Sequence, residues 1–224
     1  MKFLNCGIRP LGIYSVVDRA YKLTALYEAG VTTAQLRVKD LEGKELEEEI
    51  MEAIRISSEY NTRLFINDFW ELAIKHKAYG IHLGQEDIQK ANIKAIHHAK
   101  LRLGISTHTT AEIDIALDFE PSYIAIGPIY KTNSKEMVYT PVGLEDLKSW
   151  SRAVDYPIVA IGGINLGNLE EVLKTGAADG AAMIAGVLDE RKEVSRLKTV
   201  MLVDKFNRII NEPCPDEIYY EETA

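Results

Sequence analysis

Apolar residues recur along this chain in two alternating rhythms. Short runs rich in Ile, Val, Leu and Ala occur at 13–18, 33–38, 63–68, 80–84, 101–107, 123–129, 157–163 and 180–186. Most are nearly continuous in apolar character, as strands buried on both faces are. Between them lie segments with helical spacing. The clearest is 43–59, where Leu46, Ile50, Ala53, Ile54 and Ser57 share one face and Glu and Lys occupy the other. Segments 168–174 and 190–210 follow the same period, and Gly30, Gly80 and Gly176 stand where a helix must stop before the next strand. Eight such units in about 200 residues predict an α/β protein with a closed (β/α)8 TIM barrel rather than an open doubly wound sheet. No Pro/Ser-rich linker divides the chain, so one catalytic domain is expected over 1–210, followed by an acidic, mobile tail over 211–224.

Composition narrows the function without naming it. The 224 residues carry 26 Lys plus Arg against 34 Asp plus Glu, a formal net charge of -8 that argues against a general binder of nucleic acid or membrane surfaces. Cys6 and Cys214 lack the spacing of a zinc site or a disulfide framework and fit free thiols of a reducing compartment. No apolar run approaches the roughly 18 residues a bilayer span needs, and the N-terminus lacks a signal-peptide core, so a cytoplasmic protein is expected.

In a barrel of this kind the chemistry sits at the C-terminal ends of the strands. The second run ends Gln35-Leu36-Arg37-Val38-Lys39, and strand alternation puts Leu36 and Val38 toward the helices and Gln35, Arg37 and Lys39 toward the mouth. Arg there can grip an anionic oxygen pair and Lys adds a point charge. The third run ends at Asn67-Asp68 and the fourth leads into Gly84-Gln85-Glu86-Asp87, placing carboxylates above adjacent strands about 5 Å apart. Two carboxylates beside phosphate oxygens suit Mg2+. Each Asp also fits as the N-cap of a helix, beginning near Phe69 or Ile88. Ser106, Thr107 and His108 end the fifth run. Thr132, Asn133, Ser134 and Lys135 sit in a long loop after the sixth that has the composition of an anion-binding lid or of a solvated polar loop. Gly162-Gly163 and Ile184-Ala185-Gly186 follow the last two runs, where such barrels often bind phosphate through backbone N–H groups. His82, His97, His98, Trp70, Trp150 and the Tyr219–Tyr220 pair are read as packing, helix or tail residues.

Taken in order, Gln35-Leu36-Arg37-Val38-Lys39, Asn67-Asp68, Gly84-Gln85-Glu86-Asp87, Ser106, Gly127-Pro128-Ile129 with Thr132-Asn133-Ser134-Lys135, and Ile161-Gly162-Gly163-Ile164 resemble thiamine phosphate synthase from about 13 to 186. The resemblance implies joining of 4-amino-2-methyl-5-(diphosphooxymethyl)pyrimidine to a thiazole phosphate, carboxylated or not, with release of diphosphate. It assigns Gln35, Leu36, Arg37, Val38, Lys39, Asn67, Ser106 and Lys135 to the pyrimidine diphosphate. Thr132, Asn133, Ser134, Gly163, Ile184 and Ala185 fall to the thiazole phosphate, and Asp68 and Asp87 to Mg2+. Arg37, Lys39 and Lys135 are then the groups that neutralise the departing diphosphate. The partners implied are phosphorylated small molecules, with a homo-oligomer left open. Three positions depart from the family pattern: Ser134 replaces a Thr, Lys131 a Pro, and Ala185 a Ser whose hydrogen bond is worth about 1 kcal/mol. A thiazole tautomerase would not need the Arg37/Lys39 and Asp68/Asp87 set, and a phosphosugar epimerase would want an acid/base pair that does not stand out. A non-catalytic sensor would have no use for the metal pair.

Overall fold

The computed structural model describes residues 1–7, 10–132 and 140–211. Its strands are β1 (Gly12–Val17), β2 (Thr33–Leu36), β3 (Arg63–Asn67), β4 (Gly80–Leu83), β5 (Arg102–Thr107), β6 (Tyr123–Ile126), β7 (Ile158–Ile161) and β8 (Gly180–Met183). They pair in sequence order, all parallel, and β8 returns to β1 to close the barrel. The helices are α1 (Tyr21–Glu28), α2 (Gly43–Glu59), α3 (Trp70–Lys75), α4 (Gln85–Lys90), α5 (Ile93–His98), α6 (Thr110–Leu117), α7 (Gly143–Ser151), α8 (Leu169–Lys174) and α9 (Arg196–Asn211). The TIM barrel expected from the alternation is the fold observed. Except at β5, each strand leaves the ladder before its apolar run ends, because the last residues turn away to build the mouth.

The strand positions divide as a period of two requires. Leu36, Val38, Leu64, Ile66, Ile81, Leu83, Leu103 and Ile105 face outward into the layer shared with the helices. Tyr14, Val16, Phe65, Tyr123, Ala125, Val159 and Ala182 fill the barrel interior. Below them the N-terminal segment closes the floor: Arg63 donates to the carbonyls of Cys6 and Pro10, and Arg102 Nε to that of Asn5. The buried Cys6 thiol is free, and burial pushes it up to about 11.

Two local expectations need correction. Gly80 does not end a helix; α3 stops at Lys75, and Gly80 opens β4, where a Cβ would lie 2.5 Å from the Phe65 ring. The last helix begins at Arg196, not near 190. A bridge between Leu188 and Val194 and a turn held by Asp189 Oδ1, which accepts from the amides of Arg191 and Glu193, occupy the intervening chain. Trp70 and Trp150 pack against the outer core as expected. Asn211 belongs to α9, while Cys214, Tyr219 and Tyr220 lie outside the described residues.

Candidate active site

At the mouth, above β2, β3 and β4, charged side chains converge. Lys39 Nζ donates to Asp68 Oδ2 at 2.6 Å. Asp68 sits at φ 64, a left-handed conformation that Asp tolerates better than most residues. The Asp68 amide bonds the His82 carbonyl, while its own carbonyl accepts from Trp70. This sharp turn, rather than helix capping, sets where the carboxylate stands. Asp87 lies in the first turn of α4, whose N-cap is Gly84. Neither carboxylate makes a side-chain cap hydrogen bond, so the capping alternative falls away for both.

Asp68 and Asp87 are close enough to act on one another. Burial first, then the neighbouring Asp68 carboxylate, raises the Asp87 carboxyl above its ordinary range, with Lys39 opposing. Two oxygen-ligand carboxylates that repel each other at a solvent-accessible rim match the hard-cation preference of Mg2+. Groups of three or more potential metal-binding side chains are absent among the described residues, so a cation here would depend on substrate or water oxygens for its remaining positions.

Asn67 is buried in the last interior position of β3, and its Nδ2 has no hydrogen-bond partner among the described residues. A buried amide donor without a partner is costly and marks a place for a ligand acceptor. Gln35 is also buried and donates to Tyr14 Oη at 3.2 Å. Arg37 is half-exposed beside a cavity of about 400 Å³ lined also by Asp18, Lys22, Ile184, Ala185 and Lys192. Leu36 and Val38 point into the outer core, which removes them as side-chain contacts to substrate and leaves only their backbone.

On the opposite side, a second cavity of about 340 Å³ is lined by Ser106, His108, Lys131, Thr132, Gly163, Ile184 and Ala185 among others. The two cavities share Ile184 and Ala185 as a common wall. The turn after β7 is clamped to the loop after β6, with Ile129 donating to the Ile161 carbonyl at 2.9 Å and Tyr130 to that of Gly162 at 3.0 Å. Gly163 takes φ +69, and a Cβ there would lie 2.7 Å from that of Tyr130. The amides of Gly163, Ile184 and Ala185 have no acceptor among the described residues and are free to meet an anion. Asn133, Ser134 and Lys135 lie outside the described residues.

The sequence reading missed three interior residues. His82 is buried as expected, but its Nε2 reaches Ser106 Oγ and its Nδ1 reaches Tyr123 Oη, each at 2.7 Å. Tyr123 in turn meets Tyr14. The available signal was Gly104, a glycine within a strand, which marks close approach of another group. A Cβ there would lie 2.2 Å from Tyr123 Cζ.

Fold and site together define a (β/α)8 barrel with an acidic pair and backbone amide donors at its mouth. The chain matches the family model for thiamine monophosphate synthase over residues 13–187. It is 53% identical over 176 residues to a thiamine-phosphate synthase of Citrobacter koseri, covering 78% of this chain and 83% of that one. A thiamine-phosphate synthase of Salmonella agona is 49% identical over 193 residues, covering 85% and 92%. The solved thiamine phosphate pyrophosphorylase from Pyrococcus furiosus superposes with a TM-score of 0.77 at 28% identity, covering 89% of this chain and 97% of that one. This chain belongs to the thiamine monophosphate synthase family.

Proposed function

We propose that this chain is a transferase of thiamine biosynthesis that joins 4-amino-2-methyl-5-(diphosphooxymethyl)pyrimidine to a thiazole phosphate, giving thiamine phosphate and diphosphate. Beyond family membership, the observation that carries this reading is the Lys39–Asp68–Asp87 cluster beside the Asn67 amide, which has no partner among the described residues. The bond from the pyrimidine's exocyclic methylene carbon to the diphosphate oxygen breaks, with its electron pair leaving on the diphosphate. The aminopyrimidine ring stabilises the methylene cation, and the thiazole nitrogen lone pair then forms the new C–N bond. A carboxylated thiazole would also release carbon dioxide.

Such a step needs neutralisation of the leaving group more than a base or nucleophile. Arg37 and Lys39 supply charge from β2 and its extension, Asn67 donates from β3, and Lys135 is assigned to the same task by the resemblance. Asp68 and Asp87 would hold Mg2+, which when bound adds positive charge against the diphosphate oxygens. Gln35 and Ser106 hold the pyrimidine from opposite walls. Thr132, Ser134 and the amides of Gly163, Ile184 and Ala185 take the thiazole phosphate. We place the reaction in the cytoplasm. The buried free thiol of Cys6 supports this, and no helix among the described residues is long and apolar enough to cross a membrane.

The reading is tested by mixing the purified chain with both substrates and Mg2+ and assaying thiamine phosphate after oxidation to its fluorescent thiochrome. Product formation that requires both substrates is expected. Intact substrates after prolonged incubation would overturn it.

A further inference from the structure

Beneath the mouth, four hydrogen bonds run in series across the barrel interior. Gln35 Nε2 donates to Tyr14 Oη at 3.2 Å, and Tyr14 Oη meets Tyr123 Oη at 2.7 Å. Tyr123 Oη meets His82 Nδ1 at 2.7 Å, and His82 Nε2 meets Ser106 Oγ at 2.7 Å. The series visits β2, β1, β6, β4 and β5 and ends on two residues of the proposed pyrimidine site. Its middle is rigid. Tyr14 and Tyr123 are fully buried, Phe65 packs edge-on against Tyr123, and the His82 ring stacks on Tyr123 at an interplanar angle of 21°. Burial raises both phenols well above their ordinary range, so each stays neutral and keeps its single proton.

A phenol carries one donatable proton, and a neutral imidazole carries one N–H. A series built from such groups can point only one way or the other. With the Gln35 amide N–H donating into Tyr14, the Tyr14 proton goes to Tyr123 and the Tyr123 proton to His82 Nδ1. The imidazole proton then sits on Nε2 and is donated to Ser106 Oγ. Ser106, already accepting from below, presents its own proton to the pocket. Gln35, with its nitrogen committed downward, is left its amide oxygen as an acceptor. The reverse order would turn both ends around together.

We propose that Tyr14, Tyr123 and His82 are positioning residues that lock Gln35 as an acceptor and Ser106 as a donor toward the substrate. The proposal rests on the assignment of Gln35 and Ser106 to the pyrimidine. An aminopyrimidine offers an exocyclic amine that donates and ring nitrogens that accept, so an acceptor and a donor on facing walls fit it. The 4-oxo analogue, which replaces that amine by an acceptor, would meet the wrong polarity at Gln35. The interior series thus sets specificity from residues that do not touch the substrate.

The test has a spectroscopic part and a kinetic part. Nitrogen-15 imidazole spectra of the full chain without substrate at neutral pH, with the His82 signals assigned by their loss in His82→Gln, are expected to show a neutral ring protonated on Nε2. A ring protonated on Nδ1, or on both nitrogens, would overturn the stated polarity. Tyr123→Phe deletes only the hydroxyl at the centre of the series. It is expected to lower kcat/KM for the pyrimidine diphosphate by about tenfold or more, as loss of aligned hydrogen bonds implies. The KM for the thiazole phosphate should stay within about twofold, which a general loss of fold would not spare. Discrimination against the 4-oxo analogue should also shrink. Gln35→Ala and Ser106→Ala separate the two levels. If neither changes pyrimidine kinetics, the site assignment fails; if both do and Tyr123→Phe does not, the positioning role fails.

Discussion

The two halves of the barrel mouth are built by different means. Over β2 to β5 the polar groups are side chains: Arg37, Lys39, Asn67, Asp68, Asp87 and Ser106, with an ion pair at 2.6 Å and two mutually repelling carboxylates. Over β6 to β8 the described residues offer chiefly backbone, with Thr132 beside it: a Gly162-Gly163 turn clamped to residues 129 and 130, and amides at Gly163, Ile184 and Ala185 that have no acceptor among the described residues. A side-chain half can be altered by changing chemistry without changing shape. A backbone half should respond instead to added volume and to strain.

The largest effect should come from the charged half. Asp68→Asn keeps a residue that tolerates the left-handed turn while removing the charge, so folding should persist while kcat/KM falls about 10²- to 10³-fold. Steady-state assay beside a thermal melt checks this, and activity within tenfold of wild type would break the contrast. Next, Gly163→Ala places a Cβ against Tyr130 at φ +69. It should cost about 1–3 kcal/mol in urea unfolding and raise KM for the thiazole phosphate more than for the pyrimidine. Ala185→Ser restores a hydroxyl beside the shared wall of the two cavities. One added hydrogen bond of about 1 kcal/mol should lower the thiazole phosphate KM about fivefold, and an unchanged KM would contradict it.

The smallest effect is on stability. The Asp87 carboxyl is raised by burial and by Asp68, so its protonated form favours folding and its ionised form disfavours it. That contribution is present below the ordinary carboxylate range and is lost as pH rises through the raised value. Asp87→Asn should therefore melt slightly higher than wild type at neutral pH without divalent cation. The difference should stay within about 1 kcal/mol because the group is solvent-screened, and it should vanish in acid. Melts across pH check the sign.

The side-chain half was the more legible in sequence. Period-two alternation in Gln35-Leu36-Arg37-Val38-Lys39 separates outward Leu36 and Val38 from inward Gln35, and apolar spacing alone delimits α2. The pairing of Asp68 with Asp87 could be read only after β3 and β4 were taken as neighbours. Their capping alternative survived until the turn at Asp68 was seen. The interior series was not legible, because its members lie up to 109 positions apart and each reads singly as a packed residue. The start of α9 was misread because the polar turn at Asp189 carries no break in apolar period strong enough to stop a helix. In the backbone half, glycines mark the turns, but which amides lack an acceptor among the described residues is a property of the closed barrel.

The central claim is that a carboxylate-held divalent cation assists diphosphate departure. Its most direct test is thiamine phosphate formation measured against Mg2+ concentration after chelator treatment, in wild type and in Asp87→Asn. The account predicts no turnover in chelator and saturable recovery with Mg2+, with Asp87→Asn needing far more cation or failing to recover. Undiminished turnover in chelator, or identical Mg2+ dependence in the two proteins, would contradict it.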